Sequence, residues 1–183
     1  HIPHNRPTFS RKEKLAVRKT IDSNWVTQGK NVAEFEEKFC SYLGLPSGHS
    51  VAVSSGSAAL YLAMHALDVI GKKIGLPVYT CAALNNSVAL AGGKPFFVDN
   101  DLMGQNLDID IVKKAELDTL IAVSTFGIPL PISSDRRYRV IEDISQALGT
   151  EVKGKKIIET LIAKKGTLDE MAKAYGSDAI LGS

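Results

Sequence analysis

Apolar residues recur at helical spacing in two segments near the start of the chain, residues 9–22 and residues 32–44. Ser10 followed by Glu13 has the spacing of a capping box, which predicts that the first helix begins after Ser10. Gly44 follows the second segment and is predicted to end it, because glycine readily adopts the left-handed conformation found after many helices. The pattern therefore predicts two helices before residue 50.

From residue 50 onwards the period of the hydrophobic pattern changes. Short apolar or β-branched runs alternate with helical segments, which predicts βαβ units, a parallel sheet and right-handed crossovers. The continuously apolar runs indicate strands buried on both faces. The predicted strands are residues 50–55, 74–80, 94–99, 118–125 and 138–143, and the predicted helices are residues 57–70, 81–92 and 107–116. The fold class predicted from this rhythm is α/β.

After Gly149 the pattern of apolar and polar residues changes again. Residues 155–176 carry apolar residues at amphipathic helical spacing on either side of Gly166, which predicts a two-helix surface insertion. A helix-turn-helix for DNA is the disfavoured alternative, because no basic recognition helix is evident. Residues 177–183 are predicted to open a further apolar strand, so that residues 1–154 form the N-terminal part of the main domain.

Composition and charge exclude several classes of partner. Hydrophobic residues make up 44% and charged residues 23% of the 183, which is typical of a soluble globular protein. The 22 basic and 20 acidic residues are interleaved, so neither nucleic acid nor a membrane surface is an expected partner. No apolar run reaches the roughly 18 residues of a membrane span, and the start has no signal-peptide pattern. Cys40 and Cys81 lack metal-ligand spacing, so we predict no metal site and a reduced, cytoplasmic protein.

The stretch SSGSAAL, residues 54–60, is the first candidate for chemistry. A predicted strand ends there, Gly56 permits a tight turn, and a helix begins at Ser57. Unpaired N–H groups and the positive end of the dipole make a helix start a suitable anion site, to which the Ser57 hydroxyl adds a donor. An ordinary capped helix after a strand remains the alternative.

The stretch VIEDISQALG, residues 140–149, is the second candidate. A predicted buried strand delivers Glu142 and Asp143 to its carboxyl end, where open α/β sheets bind their ligands. A carboxylate aimed from an apolar strand needs a cationic or proton-sharing partner. The alternative is a solvated aspartate that caps the next turn.

Cys81 lies at a predicted strand-to-helix junction and is the third candidate. A cysteine there can be an activated thiolate or a small apolar side chain that fills a tight place, and we favour the second interpretation. Asn85 and Asn86 follow one turn into the same helix, where they could face either a ligand or water.

Four segments occur together, in this order: SNWVTQGKNVAEFEEKFCSYLG, SSGSAAL, PVYTC with AGGKPFFVD, and VIEDISQALG. In this combination the sequence resembles the DegT/DnrJ/EryC1/StrS family over about residues 2–154. Members are fold-type I enzymes that depend on pyridoxal 5'-phosphate (PLP), chiefly aminotransferases acting on nucleotide-linked keto-sugars. The resemblance implies a three-layer αβα large domain with a mostly parallel sheet, here incomplete.

The resemblance also implies roles for individual residues. The turn at Gly56, Ser57 and Ala58 would hold the cofactor phosphate, and Cys81 would lie against the face of the pyridine ring, where many members have an aromatic side chain. Asp143 would pair with the pyridine nitrogen and favour its protonated form, which is the better electron acceptor. Gln146 matches a position beside the ring hydroxyl of the cofactor.

We expect this sequence to depart from the family pattern at the catalytic lysine, which forms a Schiff base with PLP. In the family it lies in a pattern resembling GDAAILSFYATK, as the last residue, and SDAILGS at residues 177–183 matches only the opening. Ser183 would occupy the position of a phosphate-contacting serine. Lys164 and Lys165 are better interpreted as part of a solvated helix face. The sequence therefore predicts weak or absent PLP binding and no transamination by these residues alone.

The partners implied by the resemblance are a nucleotide-sugar substrate, glutamate as the amino donor, and either a second copy of the chain or a complementing C-terminal chain. One half of a split aminotransferase and a non-catalytic binding module stay open as alternatives.

Overall fold

The computed structural model describes residues 6–102, 104–132, 136–152, 155–156 and 179–181. The chain divides into two units, residues 1–52 and residues 53–183.

The first unit contains the two predicted helices, α1 (Arg11–Asp22) and α2 (Lys30–Leu43). The Ser10 hydroxyl accepts a hydrogen bond from the Lys12 N–H at 3.1 Å, and Glu13 Oε2 accepts from the Ser10 N–H at 2.6 Å. The predicted capping box is therefore confirmed.

Helix α2 ends as predicted at Gly44, whose φ of 70° lies in the left-handed region. The next amide, that of Leu45, donates to the Cys40 carbonyl at 2.9 Å, which satisfies one of the last carbonyls of the helix.

The strand predicted at residues 50–55 is absent, and this prediction was wrong. Backbone N–H and C=O groups in a strand need partners, and no described strand pairs with this segment. The Ala52 N–H instead donates to Glu36 Oε1 at 2.8 Å. Val51 is 76% exposed, so the β-branched pattern here is not matched by burial.

The second unit is built on a sheet in which the predicted strand positions are otherwise confirmed to within a few residues. Strands β1 (Lys73–Pro77), β2 (Lys94–Val98), β3 (Thr119–Val123), β4 (Arg139–Asp143) and β7 (Ala179–Leu181) lie in the order β2-β1-β3-β4-β7, and every neighbouring pair is parallel. Their carboxyl ends therefore share one edge of the sheet. Strand β3 is buried throughout, as its continuous apolar run predicts.

Helices cover both faces of this sheet, which confirms the predicted three-layer α/β fold. The face carrying Ile121, Val123 and Ile141, here called the α3 face, packs against α3 (Gly56–Ala66) and α4 (Ala82–Leu90). The opposite face, here called the α5 face, carries Leu120, Ala122 and Val140 and packs against α5 (Ile109–Lys114) and its flanking loops.

Beyond β4 the chain forms a small antiparallel pair, β5 (Glu151–Val152) and β6 (Lys155–Lys156). The segment predicted as helical from residue 155 thus opens with two strand residues, and residues 157–176 of that prediction lie outside the described residues. No helix in the described part of the chain has the length and apolar character needed to cross a membrane.

Candidate functional site

The start of α3 lies towards the carboxyl edge of the sheet. Helix α3 ends at Ala66, a few residues before β1 begins at the opposite, amino edge. An 11-residue helix and a five-residue strand are both about 16 Å long, so a helix that ends at one edge begins near the other. Three residues of α3, namely Leu60, Ala63 and Met64, together with Leu67 directly after it, fix the helix to the α3 face.

The first turn of α3 leaves backbone donors free for a ligand. The Ser55 hydroxyl accepts from the Ala58 N–H at 3.2 Å and the Ser55 carbonyl accepts from the Ala59 N–H at 3.0 Å. The N–H groups of Gly56 and Ser57 precede these bonds and have no partner within the described residues. Ser57 is exposed, so the predicted trio of Gly56, Ser57 and Ala58 forms an accessible helix start.

Asp143 is the last residue of β4 and lies at the same carboxyl edge. Because side chains alternate along a strand, it belongs to the α3 face, like Ile141. Its Oδ1 accepts a hydrogen bond from the Ser145 N–H at 3.0 Å, so the carboxylate does cap the next turn, as the alternative interpretation proposed. The side chain is half-buried, and within the described residues Oδ1 alone has a hydrogen-bond partner, so Oδ2 can meet a cationic partner.

Glu142 does not share the site with Asp143, although the sequence delivers both acids to the same strand end. Alternation puts Glu142 on the α5 face, where only 2% of it is exposed and Oε2 has no hydrogen-bond partner in the described structure. Burial raises the pKa of Glu142 to about 7, an effect that the charge of Arg136 partly opposes.

Gln146 links two loops at the carboxyl edge. Its Oε1 accepts a hydrogen bond from the Phe126 N–H at 2.9 Å, which leaves the two Nε2 hydrogens as donors. The side chain is exposed. Gln146 therefore ties the loop after β4 to the loop after β3.

Cys81 directly precedes α4, whose start also lies near the carboxyl edge, because α4 begins shortly after β1 ends. The thiol is exposed, so it fills no tight place among the described residues, contrary to the interpretation favoured from the sequence. Asn85 is half-buried and Asn86 is exposed. The predicted contact of Cys81 with a pyridine ring remains a prediction.

Ser183, the last predicted site residue, lies outside the described residues, as does Ser177. Strand β7 ends at Leu181, which pairs with Asp143. The described residues contain no group of three His, Cys, Asp or Glu side chains suited to a metal ion.

An aromatic pair at the same edge was missed by the sequence analysis. The Tyr79 and Phe126 rings follow neighbouring strands β1 and β3, with centroids 6.3 Å apart. The only signal in the sequence was a bulky residue before Gly127, which is too common to identify a site.

Comparisons with known proteins agree with this geometry. A family model described as the DegT/DnrJ/EryC1/StrS aminotransferase family matches residues 7–163. An uncharacterised protein of Methanocaldococcus jannaschii is 34% identical over 166 residues, which cover 85% of this chain and 42% of that protein. GDP-perosamine synthase of Vibrio cholerae is 32% identical over 169 residues, covering 85% of this chain and 45% of the synthase.

Among solved structures, the E. coli GDP-4-keto-6-deoxy-D-mannose-3-dehydratase with bound hydrated PLP has a TM-score of 0.76 and 26% identity. That match covers 85% of this chain and 43% of the dehydratase. The chain spans less than half the length of these relatives. With the parallel sheet, the open start of α3 and the family match in agreement, the chain belongs to the DegT/DnrJ/EryC1/StrS aminotransferase family.

Proposed function

We propose that this chain is the cofactor-binding part of a PLP-dependent enzyme that transfers an amino group to a nucleotide-linked keto-sugar. The observation that carries the proposal is the arrangement at one edge of the sheet. An open helix start at Gly56 and Ser57 and the carboxylate of Asp143 belong to the same face of the sheet. PLP carries a phosphate at one end and a ring nitrogen that can hold a proton, so these residues fit both ends.

The phosphate end would be held by backbone rather than by a cationic side chain. The free N–H groups of Gly56 and Ser57 point out of the first turn of α3, and the helix dipole favours an anion there. The Ser57 hydroxyl is exposed and can add a third donor. Ser183, predicted as a further phosphate contact, follows β7 in the sequence.

Asp143 would hold the proton on the ring nitrogen. Its Oδ1 is already engaged by the Ser145 N–H, which fixes the direction of the carboxylate before a ligand arrives. A negative charge beside the ring favours its protonated form. PLP, when bound, supplies an electron sink for amino-group transfer, and this arrangement strengthens that sink.

Gln146 and Cys81 would complete the surroundings of the ring. The Nε2 group of Gln146 is the free donor of an amide whose oxygen is occupied, so it suits an oxygen acceptor such as the ring hydroxyl. Cys81 would lie against the ring through its polarizable sulfur.

The family's catalytic lysine is proposed to come from outside the residues that build this edge. The second unit has described lysines between residues 53 and 132. They flank the starts of β1 and β2 or the end of α5, towards the amino edge of the sheet. We therefore propose that residues 1–154 hold the cofactor and that transamination needs the additional half that the relatives possess.

The substrate class is proposed from the relatives. The Vibrio cholerae relative makes GDP-perosamine and the E. coli structural relative acts on a GDP-linked keto-deoxy sugar, as their names state. A nucleotide-linked keto-sugar and glutamate are the proposed substrates of the whole enzyme.

A further surface or chain is proposed to cover α1. Helix α1 buries none of its residues, and Leu15, Val17 and Ile21 are exposed by 45, 60 and 61%. Large apolar side chains left exposed on one helix favour contact with a second copy or with a complementing chain.

The test is a PLP titration of the purified protein followed by absorbance and by induced circular dichroism near the cofactor band. We expect saturable binding that weakens about tenfold or more in Asp143→Asn and in Ser57→Asp, because the first loses the ion pair and the second repels the phosphate. Asp22→Asn, an exposed acid on α1, is the matched control and should bind as the wild type does.

Equal affinity in all four proteins would contradict the proposed site. Saturable binding without transamination would agree with the proposal for these residues, whereas absence of any PLP binding would favour the non-catalytic module.

A further inference from the structure

Tyr79 and Phe126 form an exposed aromatic corner at the carboxyl edge of the sheet. Their ring centroids are 6.3 Å apart and the ring planes are tilted by 44°. Tyr79 is 56% and Phe126 63% exposed, so neither ring belongs to the core. Two large rings left side by side in solvent at a ligand-binding edge are more informative than scattered exposed apolar residues.

The backbone of Phe126 is held in a conformation that bulky residues rarely adopt. Its φ of 55° and ψ of 23° are left-handed, which is unfavourable for a phenylalanine. The conformation persists because the turn is fixed from two sides. Gln146 Oε1 accepts from the Phe126 N–H at 2.9 Å, and Asn106 Oδ1 accepts from the neighbouring Thr125 N–H at 3.3 Å. Strain that the surroundings maintain in this way is concentrated at functional sites.

The corner borders the proposed cofactor site on two sides. Tyr79 stands two residues before Cys81, and Phe126 is bonded to Gln146, which follows Asp143 by three residues. A molecule that reacts at the cofactor must approach across this edge. The corner is therefore placed to contact the substrate rather than the cofactor itself.

The shape and polarity of the corner distinguish among parts of a nucleotide sugar. Two rings tilted by 44° cannot enclose a flat base as a parallel pair would. A hexose ring is puckered, with C–H groups that pack on aromatic faces and hydroxyls at its rim. The Tyr79 hydroxyl belongs to one of the two rings and can form a hydrogen bond with such a hydroxyl.

We propose that Tyr79 and Phe126 form the contact surface for the hexose ring of the nucleotide-linked sugar. This inference rests on the proposed function and deepens it, because it assigns a part of the substrate to side chains of this chain. Gln146 then acts as a positioning residue for Phe126.

The experiment compares binding of nucleotide sugars with binding of the bare nucleotides by isothermal titration calorimetry. The probes are GDP-mannose, UDP-glucose and dTDP-glucose, each beside GDP, UDP or dTDP. The variants are Tyr79→Ala and Phe126→Asn, the latter chosen because asparagine tolerates the left-handed turn while removing the ring. Tyr79→Phe and Phe126→Tyr are matched controls that keep an aromatic ring.

We expect the Kd of the nucleotide sugar to rise about 3- to 10-fold in each ring-deleting variant, because the loss of one aromatic contact weakens binding by about that factor. The controls should stay within about twofold of the wild type, and the Kd of the bare nucleotide should not change. A second measurement, saturation-transfer NMR, needs no variant. When protons of the wild-type protein's aromatic side chains are saturated, the hexose protons of the bound nucleotide sugar should lose more intensity than its ribose protons.

Equal weakening of sugar and bare nucleotide would overturn the inference in favour of a base contact. An unchanged Kd in both variants, or ribose protons losing more intensity than hexose protons, would also overturn it. A shift in sedimentation towards monomer in the ring-deleting variants, with binding unchanged, would assign the corner to a second copy. If the wild type binds PLP but none of the nucleotide sugars, or binds them as tightly as the variants do, the inference fails and the proposed cofactor site stands. If the wild type binds no PLP in the titration described above, the proposed function fails.

Discussion

At the scale of single residues, Glu142 and Asp143 show how one strand separates two adjacent acids. Asp143 faces the proposed cofactor site and is half-buried, whereas Glu142 is buried on the opposite face. Alternation along β4 is the cause, and it follows from strand geometry alone. The acid that the site does not use should therefore affect stability rather than binding.

Glu142 is predicted to make the protein less stable as the pH rises through the range from 4.5 to about 7. Burial raises its pKa from 4.5 to about 7, so in this range the native state holds a proton that the unfolded state has lost. Deprotonation then penalises the native state, by up to about 3 kcal/mol once the pH exceeds 7. Glu142→Gln cannot ionise and should lose this dependence.

Urea denaturation at pH 5 and pH 8 checks the prediction. Glu142→Gln should resemble the wild type at pH 5 and exceed its free energy of unfolding by about 1–3 kcal/mol at pH 8. Glu151→Gln, an exposed glutamate on β5, is the control and should change neither value appreciably. A parallel pH dependence in Glu142→Gln and the wild type would contradict the account.

At the scale of elements, α3 connects the core to the proposed phosphate site. Leu60, Ala63, Met64 and Leu67 at its end recur at helical spacing and face the sheet, so packing on one side of the helix aims its first turn at the carboxyl edge. The proposed phosphate site therefore depends on the packing of this stripe of four apolar side chains against the sheet.

Met64→Ala should lower the free energy of unfolding by about 2–5 kcal/mol, because Met64 is fully buried and its removal leaves a cavity. Leu62, two residues earlier on the same helix, is 51% exposed and supplies the control. Leu62→Ala should cost less than about 1 kcal/mol. Equal losses in the two variants, measured by urea denaturation, would show that the stripe does not anchor the helix.

The sequence predicts elements well where local pattern and tertiary burial agree. The apolar run of β3, the capping box of α1 and the glycine that ends α2 each encode their own structure. The segment at residues 50–55 has strand composition without a strand partner, and pairing is a property of the fold, not of the segment. The exposed position of Cys81 likewise depends on how α4 meets the sheet.

The candidate site was predictable in part for the same reason. The helix start at Gly56 and the strand end at Asp143 follow from hydrophobic periodicity. The strand predicted before α3 is absent, however, so the place of the helix start near the carboxyl edge follows from how α3 packs on the sheet. The corner formed by Tyr79 and Phe126 does not follow from it. It arises from a left-handed turn fixed by Gln146 and Asn106, contacts that span about 20 residues of chain.

At the scale of the whole molecule, the chain corresponds to less than half of its relatives, and the part of the chemistry that we propose for it is the holding of a cofactor. The described part of the second unit offers the backbone donors that we propose for the phosphate and the carboxylate that we propose for the ring nitrogen. The proposed division of labour assigns the catalytic lysine and the remaining substrate contacts to the half found in the longer relatives.

The most direct test of this account is amide chemical-shift mapping by NMR on the ¹⁵N-labelled protein during titration with PLP. The account predicts that the Gly56 and Ser57 amides shift together with the amides around Asp143, and that inorganic phosphate alone shifts only the first pair. Saturable PLP binding that leaves the Gly56 and Ser57 amides unshifted would contradict it.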